Sequence, residues 1–338
     1  LPPARGKAQP QLSLLYGSDM GASAVGFGWQ LDVPLIEDKP DGSEEKTGAG
    51  PSSYFLSGTR LWRICTVGAD RACAGASEWE PAMPPWAAGM EMFRLERDTG
   101  ARVFRSGRSF RVQYPNGVTE EYGVPLTQPS LGRPADTDRS SVYGLARAYD
   151  AYGPIEAPSN LIVYVWDGDR LRDIYHSPAP GKVAELSSYA YHARLDWDAE
   201  RRQRGPLRRI DVTSKPPSGS GARELVRRYH FTQEVVQQRM LLRFAQLEGR
   251  CGNVQENESF DLPASSCPRW PATEYAYTKP MQGPLSLEPL LTVGNDSADK
   301  GDDFLPVDVD GDGRAELVNI SRSAGGRHTL YRLTAGGD

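Results

Sequence analysis

The sequence lacks the features of a membrane-spanning protein and of a nucleic-acid-binding protein. No uninterrupted apolar run of about 18 residues occurs, so no helix long enough to span a bilayer is encoded. A formal net charge of −5 is small for 338 residues and gives no reason to expect nucleic acid or an anionic membrane as a partner. The chain begins at Leu1 without a methionine or a signal peptide, and we therefore expect a processed chain or a fragment.

Recognisable catalytic patterns are also missing. The histidines are far apart and in no metal-binding spacing: His176, His192, His230 and His328. Two of them, His192 and His230, fall in candidate strands, where a packed or surface histidine is the default interpretation. No G-x-S-x-G elbow, P-loop or G-x-G-x-x-G is present. Adjacent carboxylates such as Glu120 and Glu121 would point to opposite faces of a strand. The sequence predicts a non-enzymatic protein, with a site assembled from distant carboxylates as an alternative.

Cysteine is scarce, and its four copies form two separated pairs, Cys65 with Cys73 and Cys251 with Cys267. Neither pair has the C-x-x-C spacing of a zinc knuckle or a thioredoxin motif. Each pair brackets a stretch rich in small or polar residues, so we predict two local disulfides and an oxidising, secreted location. Four free thiols remain the alternative, because cysteine pairing cannot be deduced from sequence alone.

Glycine and proline are abundant, with 35 and 27 copies, beside 15 tyrosines and 7 tryptophans. This mixture favours many short strands joined by turns. Segments in which apolar and polar residues alternate follow one another along the chain, at residues 11–16, 54–56, 61–64, 92–95, 102–104, 109–114, 119–123, 161–166, 190–197, 207–212, 225–231 and 274–277. The predicted fold class is therefore all-β, with many short antiparallel strands.

Two local patterns make sharper predictions. In the candidate strand at residues 25–34, Gly26 and Gly28 alternate with aromatic residues, and glycine there lets a neighbouring backbone or ring pack close. Between two further candidate strands, Asn116 and Gly117 predict a type I′ hairpin turn, because both residues readily adopt positive φ.

Three segments bear on the organisation of the chain. Residues 37–53 read as a long solvated loop. Residues 233–247 fit neither the helical nor the strand period cleanly, so a helix remains an alternative there. The composition shifts to Gln, Gly, Pro and Ser at residues 281–288, where we predict a linker. The predicted domains are residues 1–283 and 284–338.

One loop near the end carries specific metal-binding chemistry. Asp308, Asp310 and Asp312 occupy positions 1, 3 and 5 of a loop whose sixth residue is Gly313. Alternating carboxylates and a glycine that permits a sharp turn suit a Ca²⁺ ion, which takes about six to eight oxygen ligands. We predict a structural Ca²⁺ site with these ligands: Asp308, Asp310, Asp312, the backbone carbonyl of Arg314, and Glu316. An acidic turn that binds no ion is the alternative.

This loop differs from an EF-hand. Position 12, where a bidentate glutamate belongs, is Asn319, and the flanking residues are β-type rather than helical. The loop resembles the strand–loop–strand calcium site of FG-GAP-type propeller repeats, with Glu316 in place of the more usual aspartate. A single repeat cannot bury its faces. The resemblance therefore implies that residues 284–338 begin a β-propeller and hold its first, incomplete repeat.

The rest of the chain resembles the amino-terminal domain family of the Salmonella virulence plasmid protein SpvB. Residues 10–18 match the pattern P-x-L-S-L-x-Y-x-S, and residues 26–31 match G-x-G-W-x-L. Later segments follow in the order of the family, at residues 54–58, 114–123, 241–244 and 271–277. Between residues 142 and 169 the chain departs from the family's D-x-x-G-N-x-I-x-Y pattern, which leaves the strand pairing there open.

The resemblance implies an SpvB/RHS-like β-sheet domain and a role in toxin delivery. In the B component of three-component insecticidal toxin complexes, such a domain is part of an RHS-type β-shell that encloses a toxic polypeptide. The implied partners are other toxin-complex subunits or downstream RHS and toxin domains, without direct membrane insertion. The implied location is outside the bacterium, and some family members act in the host cytoplasm. The actin ADP-ribosyltransferase of the Salmonella protein needs a domain of its own with an E-x-E signature, which we predict to be absent here.

Two functions from different classes follow. The first is a non-enzymatic structural and delivery module of a secreted bacterial toxin. The alternative is an extracellular adhesion or glycan-binding protein with a calcium-stabilised propeller. RHS repeats followed by a hypervariable tail would favour the first function, and further FG-GAP repeats without them would favour the second.

Overall fold

The protein is built from β-strands joined by loops, which confirms the predicted all-β class. The computed structural model describes residues 1–40, 52–64, 83–97, 99–123, 142–153, 157–168, 170–198, 205–217, 221–236, 238–277, 285–293, 303–307, 309, 316–320 and 328–335. Short 3-10 turns occur at Pro85–Ala87 and Leu186–Ser188. Within the described ranges, no helix has both the length and the apolar character needed to cross a membrane.

The chain divides into two compact units, Leu1–Tyr275 and Ala276–Asp338. The strands of the first unit are β1 (Ser13–Tyr16), β2 (Trp29–Asp32), β3 (Leu35–Pro40), β4 (Ser52–Leu56), β5 (Thr59–Ile64), β6 (Glu91–Leu95), β7 (Arg102–Ser106), β8 (Ser109–Gln113), β9 (Thr119–Tyr122), β10 (Val142–Tyr149), β11 (Ile162–Asp167), β12 (Arg170–His176), β13 (Tyr191–Trp197), β14 (Leu207–Ser214), β15 (Glu224–Val236), β16 (Arg239–Gly249) and β17 (Thr273–Glu274). Those of the second unit are β18 (Leu285–Val293), β19 (Asp303–Val307), β20 (Glu316–Ile320) and β21 (His328–Ala335).

Two predictions made along the chain need correction, and one open choice is settled. The open choice at residues 233–247 resolves to strands, because β15 and β16 form a long antiparallel hairpin there. The predicted solvated loop at residues 37–53 starts too early, since β3 continues to Pro40 and pairs with β4. Part of the predicted linker at residues 281–288 is also strand, because β18 begins at Leu285.

The larger unit contains one extended sheet of 15 described strands. Strands β3 to β9 follow one another as antiparallel neighbours, and β10 pairs with both β3 and β9. These strands therefore close into a ring. From β10 the same sheet continues through β11, β12, β13, β14, β15 and β16 to the two-residue strand β17.

Strand β10 joins the closed ring to the open part of the sheet. Residues 142–144 pair with β3, while Arg147 and Ala148 pair with β11. The other edge of β10 pairs with β9, with a register shift between Leu145 and Arg147. One edge of β10 is thus shared between two strands, and the shift lets the strand bend between them.

One face of the extended sheet carries the main hydrophobic core. Side chains from the closed ring and from β11 to β16 form a single buried cluster, and its largest members that are less than 2% exposed are Ile36, Phe110, Tyr122, Leu145, Ile162, Tyr164, Leu171 and Ile174. The N-terminal segment adds Ala8, Val25 and Val33 to the same cluster. Residues before β3 therefore fill part of the space that the curved sheet encloses.

The N-terminal segment is tied to distant strands by its backbone. The Phe27 amide donates to the Met240 carbonyl at 2.6 Å, and the Leu207 amide donates to the Ala24 carbonyl at 2.8 Å. The Lys7 amide donates to the carboxylate of Asp150 at 2.9 Å. These bonds hold the first residues of the chain against strands formed by residues more than a hundred positions later.

The two glycines predicted to allow close packing do so. A Cβ on Gly26 would lie 2.9 Å from the backbone nitrogen of Leu242, and one on Gly28 would lie 2.7 Å from the ring of Tyr16. The strand itself is shorter than predicted and covers only Trp29–Asp32. The glycine pattern therefore marks a backbone crossing in addition to a strand.

The hairpin between β8 and β9 is present, but its turn type differs from the prediction. The Gly117 amide donates to the Tyr114 carbonyl at 3.0 Å, and the Tyr114 amide donates to the Val118 carbonyl at 2.8 Å. Gly117 has a φ of 86°, whereas Asn116 keeps a negative φ. These features define a three-residue loop, a type I turn followed by a left-handed glycine. Proline at position 115 favours this turn, because its ring fixes φ near the value that the first central position requires.

The second unit holds a four-stranded antiparallel sheet in the order β18, β21, β20, β19. Strands β19 and β20 flank the predicted calcium loop and pair from Asp303 with Ile320 to Val307 with Glu316. This confirms that strands, not helices, flank the loop.

We expect Gly26→Ala to destabilise the larger unit by about 1–3 kcal/mol, because the added methyl group would overlap the β16 backbone. Urea unfolding of the full chain measures the change. Gly21→Ala is the matched control, since nothing lies within 4 Å of a Cβ at position 21. Equal stability of both variants would contradict the backbone crossing.

Candidate functional site

The predicted calcium loop is described only in part. Val309 and Glu316 are within the described residues, whereas Asp308, Asp310, Asp312 and Arg314 lie outside them. The Glu316 carboxylate is 3% exposed and accepts the Val309 amide at 3.0 Å. Its side chain therefore reaches back into the loop, which is the direction a ligand at position 9 requires. The Ca²⁺ site itself stays a prediction.

In the part of the chain that the structure describes, no group of three His, Cys, Asp or Glu side chains is arranged to hold a metal ion. The densest chemistry there is a set of buried charges on the face of the sheet opposite the main core. This set surrounds a row of residues that lie in register across β10 to β15, namely Arg147, Val163, Tyr175, His192, Thr213 and Leu225.

The centre of this row is His192, which is 1% exposed. Its ring stacks on Tyr175, with ring centroids 4.2 Å apart and planes inclined by 1°. Nε2 lies 2.9 Å from a carboxylate oxygen of Asp173, and Nδ1 lies 2.7 Å from one of Glu256. Both ring nitrogens therefore face carboxylate oxygens, which are hydrogen-bond acceptors.

The second carboxylate in this cluster, Glu256, comes from a segment after β16. Its other oxygen accepts bonds from Nε of Arg223 at 2.9 Å and from Nη2 at 2.8 Å. The hydroxyl of Thr213 donates to the oxygen that also faces His192. Arg223 uses Nη1 as well, donating to the carbonyls of Leu186 and Tyr189. A buried carboxylate with this many donors is fully satisfied.

These contacts set the pKa values of both carboxyls. Burial alone would raise the pKa of Asp173, but hydrogen bonds from His192 and Arg172 outweigh it and leave the pKa below its ordinary value. Burial would also raise the pKa of Glu256, but the contacts with His192 and Arg223 outweigh it and lower that pKa. Both groups are therefore ionised at neutral pH.

A second buried cluster lies on the same face, on β14 to β16. Arg228 is 1% exposed and donates from Nε to Asp211 at 2.6 Å. Its Nη1 lies 3.5 Å from the buried carboxylate of Glu248, which also contacts Nε2 of His230 at 2.6 Å. Two acids and one guanidinium are thus packed together where one unpaired charge would be strongly destabilising.

Both clusters are completed by one segment, residues 251–267, which we call the clasp. The disulfide Cys251–Cys267 closes it, which confirms that predicted pairing. The clasp supplies Glu256 to the first cluster, and the Pro263 carbonyl and Ser265 hydroxyl to the second. The other predicted pair, Cys65 with Cys73, lies outside the described residues.

Two shallow clefts of 460 and 510 Å³ flank the clasp residue Phe260. Phe260 has a φ of 61°, a conformation that is unusual for a bulky side chain. An Asx turn imposes it, since Oδ1 of Asn257 accepts the amides of Ser259 and Asp261. The turn places the ring edge-on to His192, with centroids 6.3 Å apart.

The geometry of His192 suits anchoring better than proton transfer. Both of its nitrogens are engaged by carboxylates, and the nearby Thr213 hydroxyl donates to Glu256 rather than to the imidazole. A nucleophile–base pair needs the hydroxyl to face the base. His192 therefore links Asp173 of β12 to Glu256 of the clasp.

Residues 256–258 have the E-x-E spacing of the transferase signature, which corrects the prediction that this spacing is absent. Glu256 is buried and paired with His192 and Arg223, whereas Glu258 is exposed. The carboxylate of Glu256 is therefore engaged in the protein interior.

The packed interpretation of His192 and His230 is confirmed, but sequence reasoning missed their partners. Asp173 and Glu256 lie 19 and 64 positions from His192. No spacing pattern links them, because strand register and the path of the clasp bring them together. A weak signal was available: a cluster of acidic and amide residues between two cysteines, which marks a short stapled segment.

The predicted opposite orientation of Glu120 and Glu121 is also confirmed. Glu121 accepts bonds from Arg111 at 3.0 Å and Arg147 at 2.6 Å on the outer face. Glu120 points into the core, where the Tyr122 hydroxyl donates to it at 2.7 Å. Burial raises the pKa of Glu120, and its hydrogen bonds only partly oppose the shift.

For the calcium loop, we expect Ca²⁺ to raise the Tm of the full chain by about 5 °C and a chelator to reverse the rise. Asp310→Ala should abolish the response because it removes a central ligand. Differential scanning calorimetry measures it, with Asp338→Asn as a control outside the loop. A wild-type Tm that changes with neither Ca²⁺ nor chelator would favour the alternative, an acidic turn that binds no ion.

For the His192 cluster, we expect Glu256→Gln to cost about 3–5 kcal/mol at neutral pH, because it leaves buried Arg223 without its carboxylate partner and removes one of the two carboxylates that face His192. The folded pKa of Glu256 is depressed, so its contribution is present above the ordinary value of 4.5 and is lost as the pH falls through the folded pKa. The difference between the two proteins should therefore shrink at about pH 3.5.

Urea unfolding at both pH values measures this difference. Glu258→Gln, which alters an exposed carboxylate of the clasp, should change stability at neither pH. A Glu256→Gln protein that loses the same amount at both pH values would rule out the ionic role.

Comparisons with known proteins find a family that matches the first residues of the chain and solved structures with a similar fold. The family described as Salmonella virulence plasmid 65kDa B protein matches residues 1–43. Among curated proteins, none is similar enough in sequence to match. The fold is similar to the N-terminal domain of the effector protein SpvB from Salmonella typhimurium strain LT2, at 12% identity and a TM-score of 0.53. That match covers 73% of this chain and 95% of the other.

Larger solved structures match almost the whole chain. A structure of TcdB2–TccC3–TEV is 14% identical to this chain and has a TM-score of 0.54. The match covers 98% of this chain and 18% of that one. The Photorhabdus luminescens Tc holotoxin pore with the TccC3 substitution D651A is 15% identical with a TM-score of 0.52, covering 98% and 18%. The chain thus spans under a fifth of these proteins. It has the fold of the SpvB N-terminal domain and of part of TcdB2–TccC3, and its first 43 residues match the SpvB family.

Proposed function

We propose that this chain is a non-enzymatic structural module of a secreted bacterial toxin complex, in which it forms part of a wall around a toxic polypeptide. The observation that carries the proposal is the fold shared with 98% of this chain in structures of TcdB2–TccC3 and of a Tc holotoxin. The match of residues 1–43 to the SpvB family supports the same assignment independently of the fold.

The construction of the larger unit suits a wall. One face of its sheet is held by a continuous apolar core, and the other is covered locally by the turn at residues 83–90, by residues 177–190 and by the clasp. A sheet supported on both faces resists bending and local unfolding better than one supported on a single face.

The buried polar groups in the described ranges are used for holding strands and loops together. His192, Asp173 and Glu256 have one another and Arg223 as partners. Groups engaged in this way contribute to rigidity, which supports a structural rather than a catalytic role for them.

For the second unit we propose a calcium-stabilised repeat of an FG-GAP-type propeller. Its support is the strand–loop–strand arrangement of β19 and β20 together with the direction of the Glu316 side chain. A propeller beginning here would provide a docking surface for another toxin-complex subunit, and Ca²⁺ would fix the loop between the strands.

The test of the toxin-complex assignment is co-expression of the natural protein that carries this chain with a toxin polypeptide of the TccC3 class. We expect the two to elute together in size-exclusion chromatography, because the wall encloses its cargo during folding. We also expect the enclosed polypeptide to survive a trypsin treatment that digests it when it is expressed alone. Mass spectrometry of the digest measures the protection.

Separate elution and unchanged digestion would contradict the proposal. Saturable, calcium-dependent binding to a glycan array by the chain alone would instead favour the alternative, an extracellular glycan-binding protein. Gly21→Ala serves as a neutral variant in both experiments, because a Cβ at position 21 meets nothing within 4 Å.

A further inference from the structure

The clasp is attached to the sheet by two kinds of link that differ in chemistry. One is covalent, the disulfide between Cys251 and Cys267, which are 16 positions apart. The other is a set of buried polar contacts that do not involve sulfur. Which of the two holds the clasp decides how the protein responds to a change of redox environment.

The first polar anchor is near the middle of the clasp. Glu256 enters a site lined by His192 from β13, Thr213 from β14 and Arg223 from the segment before β15. The Glu256 amide also donates to the Arg223 carbonyl at 2.9 Å. The surrounding charges are those of Asp173, Arg172 and Arg194 on β12 and β13, with Lys215 after β14.

The second polar anchor is close to the end of the clasp. Nη2 of Arg228 donates to the Pro263 carbonyl at 2.9 Å, and Nη1 lies 3.4 Å from the Ser265 hydroxyl. That hydroxyl donates to Glu248. Because Arg228 and Glu248 are almost fully buried, lifting the clasp would remove a hydrogen bond from each and expose both, although Asp211 and His230 would remain as their charged partners.

A bridge between the two anchors, a small apolar cluster and a backbone hydrogen bond from the Leu225 amide to the Val254 carbonyl at 2.8 Å add to the attachment. Nε of Arg194 lies 2.9 Å from a carboxylate oxygen of Asp261. Leu225 of β15 packs with Leu262, Val254 and the two cysteines. Both sulfur atoms would keep this apolar environment as thiols, since a thiol behaves as a small hydrophobic group.

We propose that the two buried polar anchors, and not the disulfide, hold the clasp on the sheet, so that the clasp stays seated after Cys251 and Cys267 are reduced. The disulfide acts mainly on the unfolded chain, where it limits the freedom of the loop that it closes. The polar anchors act in the folded state, where loss of the first leaves buried Arg223 without its carboxylate and loss of the second removes hydrogen bonds from buried Arg228 and Glu248. The outer face of the sheet therefore stays covered in both oxidising and reducing surroundings. This property belongs to the sheet and does not depend on the toxin-complex assignment.

Hydrogen exchange of the full chain tests the proposal, before and after treatment with tris(2-carboxyethyl)phosphine. In that reaction the S–S bond breaks, two S–H bonds form, and the phosphine takes the oxygen of a water molecule to become its oxide. We expect the Glu256 and Asn257 amides of the reduced wild-type protein to exchange within about threefold of their oxidised rates. An increase of more than about tenfold on reduction alone would overturn the proposal.

The first polar anchor is tested by Glu256→Gln, with Glu258→Gln as the matched control on the same segment. In reduced protein, Glu256→Gln should raise exchange in the first half of the clasp by more than about tenfold, because both the disulfide and the first anchor are then lost. The control should behave as the wild type. Unchanged exchange in reduced Glu256→Gln would assign the attachment to the apolar cluster and contradict the proposal.

A milder variant keeps the test valid if Glu256→Gln does not fold. Ser265→Ala removes one hydroxyl from the second anchor without adding or deleting a charge. We expect it to raise exchange in the second half of the clasp in reduced protein and to leave the amide of Glu256 nearly unaffected. Unchanged exchange in both halves of the clasp would contradict polar anchoring. So would an equal increase in exchange when the wild-type protein is reduced.

Discussion

The larger unit depends on the way in which strand β10 divides one edge between two neighbours. Its first residues pair with β3 and close the ring, and its later residues pair with β11 and start the open sheet. At the point of division, Gly144 leaves room for the indole of Trp166, whose N–H donates to the Leu145 carbonyl at 2.7 Å. A Cβ at position 144 would lie 2.7 Å from that indole. This contact lies where the ring and the open sheet meet.

The two faces of the sheet are stabilised by different physics. The enclosed face relies on apolar burial, and burial there raises the pKa of the Glu120 carboxyl. The opposite face relies on ion pairs that are themselves buried by short covering segments. Such pairs add little net stability compared with well-packed apolar groups, but they strongly penalise any arrangement that leaves one partner alone. They therefore specify where each covering segment sits.

Local sequence patterns predicted local features well. Alternation located most strands, the opposite directions of Glu120 and Glu121 follow from strand geometry, and the disulfide between Cys251 and Cys267 joins residues close in sequence. Sequence could not predict strand β10 as a junction, because its role arises from pairing with residues 105–109 positions earlier and 14–16 positions later. The partners of His192 were beyond reach for the same reason: register across the sheet, not spacing along the chain, brings Asp173 and Glu256 to it. The turn at Asn116 was misjudged because the preceding proline fixes a different backbone geometry.

The path of the N-terminal segment has a consequence for how the chain reaches its fold. Ala8 and Val25 are buried in a core whose other walls are strands up to β16, and the Phe27 amide bonds to Met240. During synthesis these early residues leave the ribosome long before the strands that enclose them exist. Ala8 and Val25 are therefore made well before the strands that bury them, and their burial depends on contacts between distant positions, which form slowly. A segment whose apolar residues stay exposed until later strands form is the part of the chain on which a chaperone would act.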